Sequence, residues 1–463
     1  MQTRSPTQSP TSPWQVFAVC AAAFYITTLD LSIVNVAFPD IVVDFGISRV
    51  DASWIVTIYN IFYGSLLVVS GKTADSVGRR LMFRVGVTLF ALGSLVAAFA
   101  PGLGVLVAGR ALQGLGGAAL TPATLGLLIA AFPIERRTQV VAMWGGIGAL
   151  GVASGPSLGA FAISLSDWRA AFWINLPICA LLLAASRSAL SESARNPTKT
   201  RPDYAGAALI SAALGGATLG ISRSEVWGWA DARTLGSIAA GLAIIVVFVA
   251  RQRTHPEPIL DLTLFQSRSF SIANFSGLAF FAGFAALGLN NVLFLRQAWG
   301  YDVLTAGLLS AVAPATVALL SPVTGRLASR FGFRTFVVAG PLLVAALMLV
   351  FVVVFDETTR PWLFMALGQL VAAGIAMFIP VNSAASVADL PAQRLSVGGA
   401  VNNTFRQVGS ALGIAVLVAV IGSPVTTAEL VDAHRAGWVM IATTMLLAAL
   451  VGLRQIGATR TAD

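Results

Sequence analysis

Residues 103–131 read LGVLVAGRALQGLGGAALTPATLGLLIAA, an apolar run broken by one charge, Arg110. A helix crosses a bilayer with about 20 mostly apolar residues, so this run is long enough to span. The guanidinium within it stays charged and needs carboxylate, carbonyl or water partners. Gln113 lies one turn onward on the same face, and Gly114, Gly116 and Gly117 let another backbone come close. Arg110 therefore either faces the interior of a helix bundle or snorkels from near a helix end. Gln113 favours the first reading.

The pattern recurs along the chain. Candidate spans cover 14–38, 53–70, 81–100, 103–131, 140–164, 171–187, 204–222 and 233–250, then 271–293, 305–324, 335–355, 361–385, 402–423 and 436–453. That is fourteen spans in an all-α polytopic membrane protein. Only 11% of the 463 residues are charged, against about 25% in soluble domains, which excludes one large soluble core. The net charge of +9 does not indicate nucleic acid, because the basic residues fall between apolar runs. With the N-terminus in the cytoplasm, 20 Lys and Arg lie on cytoplasmic segments and 7 outside. This bias predicts cytoplasmic termini and an even number of crossings.

Little else in the composition carries chemistry. Cys20 and Cys179 sit in apolar segments without ligand spacing, and His255 and His434 read as lying between spans. No metal site, cofactor or catalytic centre is expected. Residues 1–13 and 454–463 read as cytoplasmic tails, and the run after residue 13 is too long for a cleaved signal peptide. The connections 188–203 and 251–270 are short and polar, and THPEPILDLTLF within the second accommodates a short interfacial helix. No phosphate-binding loop is present.

Polar groups in or beside the spans are the candidate site residues. Asp30, in LDLSIVNVAFP (29–39), is the only carboxylate within an assigned span. It either couples protons or substrate, or serves as a structural partner of Arg110. GKTADSVGRR (71–80) reads as a clasp: Asp75 pairs with Arg79 or Arg80 or caps a helix, and Gly71 and Gly78 allow a tight path. GRLASRFGFR (325–334) echoes it through Gly325, Gly332 and Arg334, with Ser329 in place of Asp75. Such an internal repeat is common in secondary transporters. In GGIGALGVASGPSLGAFA (145–162), Gly151, Gly155 and Gly159 form a smooth strip and Pro156 bends the helix. The strip is either passive packing or a joint that flexes between transport states. Asn35, Gln113, Asn290, Asn291, Asn382, Asn403, Arg406 and Gln407, with Asn402 beside them, are candidate substrate-cavity groups or helix-to-helix hydrogen bonders.

These stretches resemble the major facilitator superfamily, particularly its fourteen-helix drug:proton antiporter branch. LDLSIVNVAFP, GKTADSVGRR, RALQGLGG, GPSLGA, SDWRAAFWINLP and FRQVGSALG each look like the corresponding segment of that branch, most strongly over residues 25–180. The resemblance implies six-helix bundles at 14–187 and 271–453, with two additional helices at 204–250 between them. It also implies rocker-switch alternating access, with protons taken up as compound is exported and Asp30 and Arg110 as the coupling pair. Ala160 departs from the expected second glycine of the fifth-helix motif. Members that export cationic drugs often carry further membrane carboxylates, so the single Asp30 disfavours an obligatorily multivalent cation as cargo.

The expected function is proton-coupled export of amphiphilic small molecules, such as drugs, antibiotics or natural products, from a bacterial cytoplasm. The expected partners are a small-molecule substrate, protons and membrane lipids, with the chain acting as a monomer in the inner membrane. Dedicated metabolite export, or a non-transporting receptor or structural role, would use the same fold. Substrate-dependent proton flux separates the transporters from the last of these.

Overall fold

The computed structural model describes residues 12–191, 203–256, 258–358, 360–390, 394–422, 424 and 426–455. The expected tails lie almost wholly outside these residues, as does most of the 188–203 connection. The described chain is all helix. The first half contains α1 (Pro13–Phe45), α2 (Arg49–Val77), α3 (Arg79–Ala98), α4 (Leu103–Ala131), α5 (Ile134–Ser164), α6 (Ala170–Trp173) and α7 (Asn175–Ala189). A hairpin follows, α8 (Tyr204–Trp227) and α9 (Ala232–Thr254). The second half contains α10 (Arg268–Leu293), α11 (Val303–Phe331), α12 (Phe333–Val354), α13 (Pro361–Ala385), α14 (Leu395–Ile421) and α15 (Thr427–Gly452). Counting α6 and α7 as one crossing, 13 elements are long and apolar enough to cross a membrane, and α5, bent by 43°, makes the fourteenth.

Most helices run past the apolar stretches that define them, because capping side chains close their ends beyond the apolar core. Ser48 accepts from the Asp51 N–H, Asp231 from Arg233, Ser267 from Phe270 and Asp302 from Thr305. Thr426 and Glu429 form a reciprocal capping box that starts α15 nine residues before the expected boundary at 436. His434 consequently lies inside α15, fully buried, rather than between spans. Within 251–270, α9 continues to Thr254 and α10 begins at Arg268, and a 3-10 turn, Leu262–Gln266, capped by Asp261, lies between them.

Helices α1 to α7 pack among themselves, as do α10 to α15, giving two bundles. The seam between them is formed by α2 against α14, α5 against α11, and a lighter contact of α1 with α10. The hairpin helix α8 lies on both α2 and α14, across one edge of this seam. At the end of the molecule opposite the chain termini, Arg296 pairs with Asp40 at 2.7 Å and Arg49 Nη1 donates to the Gly422 carbonyl at 3.2 Å. A π-helical turn, Phe294–Ala298, carries Arg296 to this position at the end of α10. In the halves of α5 and α11 nearer the termini, Gly145, Gly146 and Gly325 face open space.

The internal repeat is visible in the backbone. Gly78 (φ 111°) and Gly332 (φ 86°) both turn the chain with positive φ, between α2 and α3 and between α11 and α12, a conformation that favours glycine. Three spans further along each half, α5 corresponds to α14. Gly151, Gly155 and Gly159 of α5 lie against α1, and Gly409 and Gly413 of α14 lie against α10 at Leu278 and Ala282. The two main seam contacts, α2 with α14 and α11 with α5, are therefore counterparts.

Candidate functional site

Asp30, Arg110 and Gln113 meet in the interior of the first bundle, and all three are fully buried. Arg110 Nη1 forms an ion pair with Asp30 Oδ2 and donates to Gln113 Oε1 at 2.8 Å, and its Nε donates to the Ile55 carbonyl at 2.9 Å. Gln113 Nε2 donates to Asp30 Oδ1 at 2.9 Å and to Ser94 Oγ at 2.8 Å. Asn175, the first residue of α7, donates to Asp30 Oδ1 and to Ser94 Oγ, both at 3.1 Å. Tyr59 lies under the guanidinium at 4.4 Å and donates its hydroxyl to the Thr27 carbonyl at 3.2 Å. One carboxylate thus ties α1, α4 and α7 together, while Arg110 reaches α2 and Ser94 supplies α3.

This geometry settles the orientation of Arg110: it faces inward and does not snorkel. The glycines around it make the approach possible. A Cβ at Gly114 would fall 2.8 Å from the Tyr59 carbonyl, and one at Gly116 would fall 2.6 Å from Phe90 N. Asn175, Ser94 and Tyr59 were not legible as members of the site. Each lies in a mostly apolar stretch and is joined to Asp30 or Arg110 only by the packing of the bundle.

The 71–80 clasp forms. Arg79 donates from Nε and Nη2 to Asp75 Oδ1 at 3.0 and 2.9 Å, and from Nη1 to the Gly126 carbonyl of α4 at 2.8 Å. Arg80 donates to the Arg187 carbonyl of α7 at 2.8 Å. The partly exposed ion pair adds little alone, but the bond from Arg79, the first residue of α3, to Gly126 ties the turn between α2 and α3 to α4. Gly71 is not sterically required, because a Cβ there would meet Pro122 at an ordinary 3.4 Å. The second loop keeps the turn at Gly332 without an equivalent ion pair, since Ser329 and Phe333 stand where Asp75 and Arg79 would be. Neither Gly325 nor Arg334 has a described interhelical contact there.

The glycine strip of α5 is a contact surface on both sides. A methyl group at Gly155 would overlap Ser32, one at Gly151 would overlap Thr28, and Gly159 rests on Ile33. Gly148 belongs to the same strip, against Phe24. On the opposite face, Pro156 and Ala160 meet Gly307 of α11. The glycine absent at position 160 is thus supplied by the partner helix. Gly155→Leu should cost about 1–3 kcal/mol through overpacking and slow exchange between transport states. Spin-label distances across the seam and thermal unfolding would show both effects, whereas Gly145→Ala, in open space, should show neither. An unchanged exchange rate in Gly155→Leu would remove the conformational role.

The remaining polar candidates separate into groups. Asn290 exchanges hydrogen bonds with His434, at 2.9 Å to Nδ1 and 3.2 Å to the carbonyl, and Asn291 accepts from Trp438 Nε1 at 3.1 Å. These two hold α10 to α15 rather than lining central space. Asn35 sits across the seam from Gly288, with its Oδ1 buried and unpartnered among the described residues. Asn382 is buried with both amide atoms unpartnered among the described residues, and Asn402 donates to Asn274 at 3.2 Å. Gln407 packs so closely that a Cβ on Gly64 would lie 2.7 Å from its Cβ. Thr404 donates to the Gly64 carbonyl at 2.9 Å. Asn403 and Arg406 stand near Tyr63 of the other bundle.

Two helical bundles joined by a repeated seam, with a buried ion pair in one of them, are the architecture of a multi-pass membrane protein. The Major Facilitator Superfamily model matches residues 20–414 and 273–459, and the chain belongs to that superfamily. The multidrug resistance protein Stp of Mycobacterium tuberculosis is 31% identical over 402 residues, 86% of this chain and 74% of that protein. The tetracenomycin C resistance and export protein of Streptomyces glaucescens is 30% identical over 426 residues, covering 89% and 77% of the two chains. The methylenomycin A resistance protein of Streptomyces coelicolor is 30% identical over 408 residues, covering 87% and 84%. A crystal structure of the peptide transporter POT shares the fold, with a TM-score of 0.72 over 98% of this chain and 96% of that one at 17% identity.

Proposed function

We propose that this chain is a proton-coupled antiporter of the fourteen-helix drug-export branch, expelling amphiphilic small molecules by alternating access. The observation that carries this reading is the Asp30–Arg110 pair, buried at the junction of five spans. A carboxylate in that position is expensive to ionise alone, so its charge depends on the partners that surround it. Protonation and cargo binding then favour different states, which links the two fluxes without requiring one shared site. The relatives named for multidrug resistance and for antibiotic resistance or export support this class of cargo. Residues 14–187 and 271–453 act as the two rocking bundles and 204–250 as the additional pair, in a monomer surrounded by lipid. Purified protein in proteoliposomes should concentrate a neutral amphiphile only while a pH gradient is held. Equal accumulation after the gradient is collapsed would refute proton coupling.

The chain sits in this reading in a bacterial cytoplasmic membrane with both termini and the 71–80 loop inside, as the distribution of basic residues favours. Native Cys20 and Cys179 are buried, so introduced cysteines report cleanly. On intact cells an impermeant maleimide should leave Ser76→Cys unlabelled and label Glu357→Cys at the other end. The reverse pattern would invert the topology.

A further inference from the structure

Three charged side chains lie deep in the spans: Asp30, Arg110 and Arg406. The first two neutralise each other. Arg406 is different. It is half-buried in the middle of α14, and no carboxylate among the described residues pairs with it. Its Nε is buried without a hydrogen-bond partner, and its guanidinium lies over the Phe281 ring of α10 at 4.3 Å. One aromatic face compensates only a small part of the cost of removing a cation from water.

The surroundings are built to receive something. Tyr63 of α2 faces Arg406 from the other bundle, with its hydroxyl 2.8 Å from Thr121 Oγ1 of α4. Asn403, on the same helix as Arg406, stands beside that hydroxyl. Phe280, stacked on Phe378 at 4.0 Å, extends the aromatic wall behind Phe281. The spot is therefore cationic, rich in hydrogen-bond donors, backed by rings, and divided between the two bundles. An arginine presents a planar fork that matches a carboxylate with two parallel bonds.

We infer that Arg406 is the docking point for an acidic group on the cargo, so that the preferred ligands carry a carboxylate or similar oxyanion next to an aromatic surface. The role of the site as a cargo site rests on the export reading, while anion binding itself does not. A cation brought to this spot would meet an uncompensated positive charge, whereas an oxyanion removes it.

The test uses purified full-length protein in nanodiscs and two fluorescent probes of the same ring, 9-anthracenecarboxylate and 9-anthracenecarboxamide. Wild-type protein should bind the carboxylate more tightly. Arg406→Gln should weaken carboxylate binding by about 10- to 100-fold, the range for a charge-assisted hydrogen bond, and weaken the carboxamide far less. Arg406→Lys, with charge retained and the fork lost, should fall between, with thermal unfolding confirming that each variant is folded. Equal losses for both probes, an unchanged carboxylate affinity in Arg406→Gln, or no saturable carboxylate binding by the wild type would overturn the inference. Wild-type proteoliposomes under a pH gradient separate the two readings. Selective carboxylate binding without pH-driven movement of either probe would refute export and leave the anion site standing.

Discussion

Asp30→Asn is expected to reduce pH-driven accumulation of cargo in proteoliposomes to the passive ratio of about one, because linkage between proton and cargo needs a group that titrates. Downhill exchange of labelled for unlabelled cargo should continue, since it draws no energy from protons. The substitution is nearly isosteric. An asparagine oxygen can still accept from Gln113 and Asn175, which now bond Asp30 Oδ1 at 2.9 and 3.1 Å. The other oxygen position, which faces Arg110, loses its charge. A variant that still accumulates cargo against the gradient at the wild-type level would show that Asp30 is not the coupling group.

That substitution also leaves Arg110 buried without a counter-charge, and the second large effect follows from this. Removing one partner of a buried ion pair typically costs about 3–5 kcal/mol. Asp30→Asn and Arg110→Gln should each lower the unfolding temperature markedly, and Arg110→Gln also loses the bond to Ile55 and the stack on Tyr59. The double variant Asp30→Asn with Arg110→Gln leaves no unpaired charge and should recover much of the stability. It should not recover pH-driven accumulation. Stability restored without transport separates coupling from folding, whereas strictly additive losses would contradict the pairing. Arg110→Lys retains the charge but cannot serve Asp30, Gln113 and Ile55 together, so intermediate stability is expected.

Much of the fold was legible because a bilayer span imposes length and hydropathy on the chain. The boundary of 361–385 agrees with α13, and that of 103–131 with α4. The ends that extend further do so where polar caps continue a helix into the interface, a feature that hydropathy does not register. The shift at the start of α15 mattered most: it put His434 in the bundle, where it takes up Asn290. Asp30, Arg110 and Gln113 stood out as polar groups in apolar runs, and the structure brings them together. The link from Asp30 to Asn175 joins residues 145 apart in sequence, and no local spacing encodes it. The ion pair of the first loop was readable from Asp75 beside Arg79 and Arg80, and the loss of the acidic position in the second from Ser329. The pairing of Ala160 with Gly307 was not, because a small residue gives no sign of which helix it will meet.

Proton-coupled export is tested most directly by measuring cargo and protons in the same vesicles. Wild-type protein is reconstituted with a pH-sensitive dye trapped in the lumen, and the neutral probe 9-anthracenecarboxamide is supplied on the side of the chain termini. Antiport requires probe entering the lumen to drive protons out in a fixed ratio, so the lumen becomes alkaline at a rate proportional to probe uptake, and Asp30→Asn abolishes the coupled signal. Protein-dependent probe uptake by the wild type with no proton movement would contradict antiport.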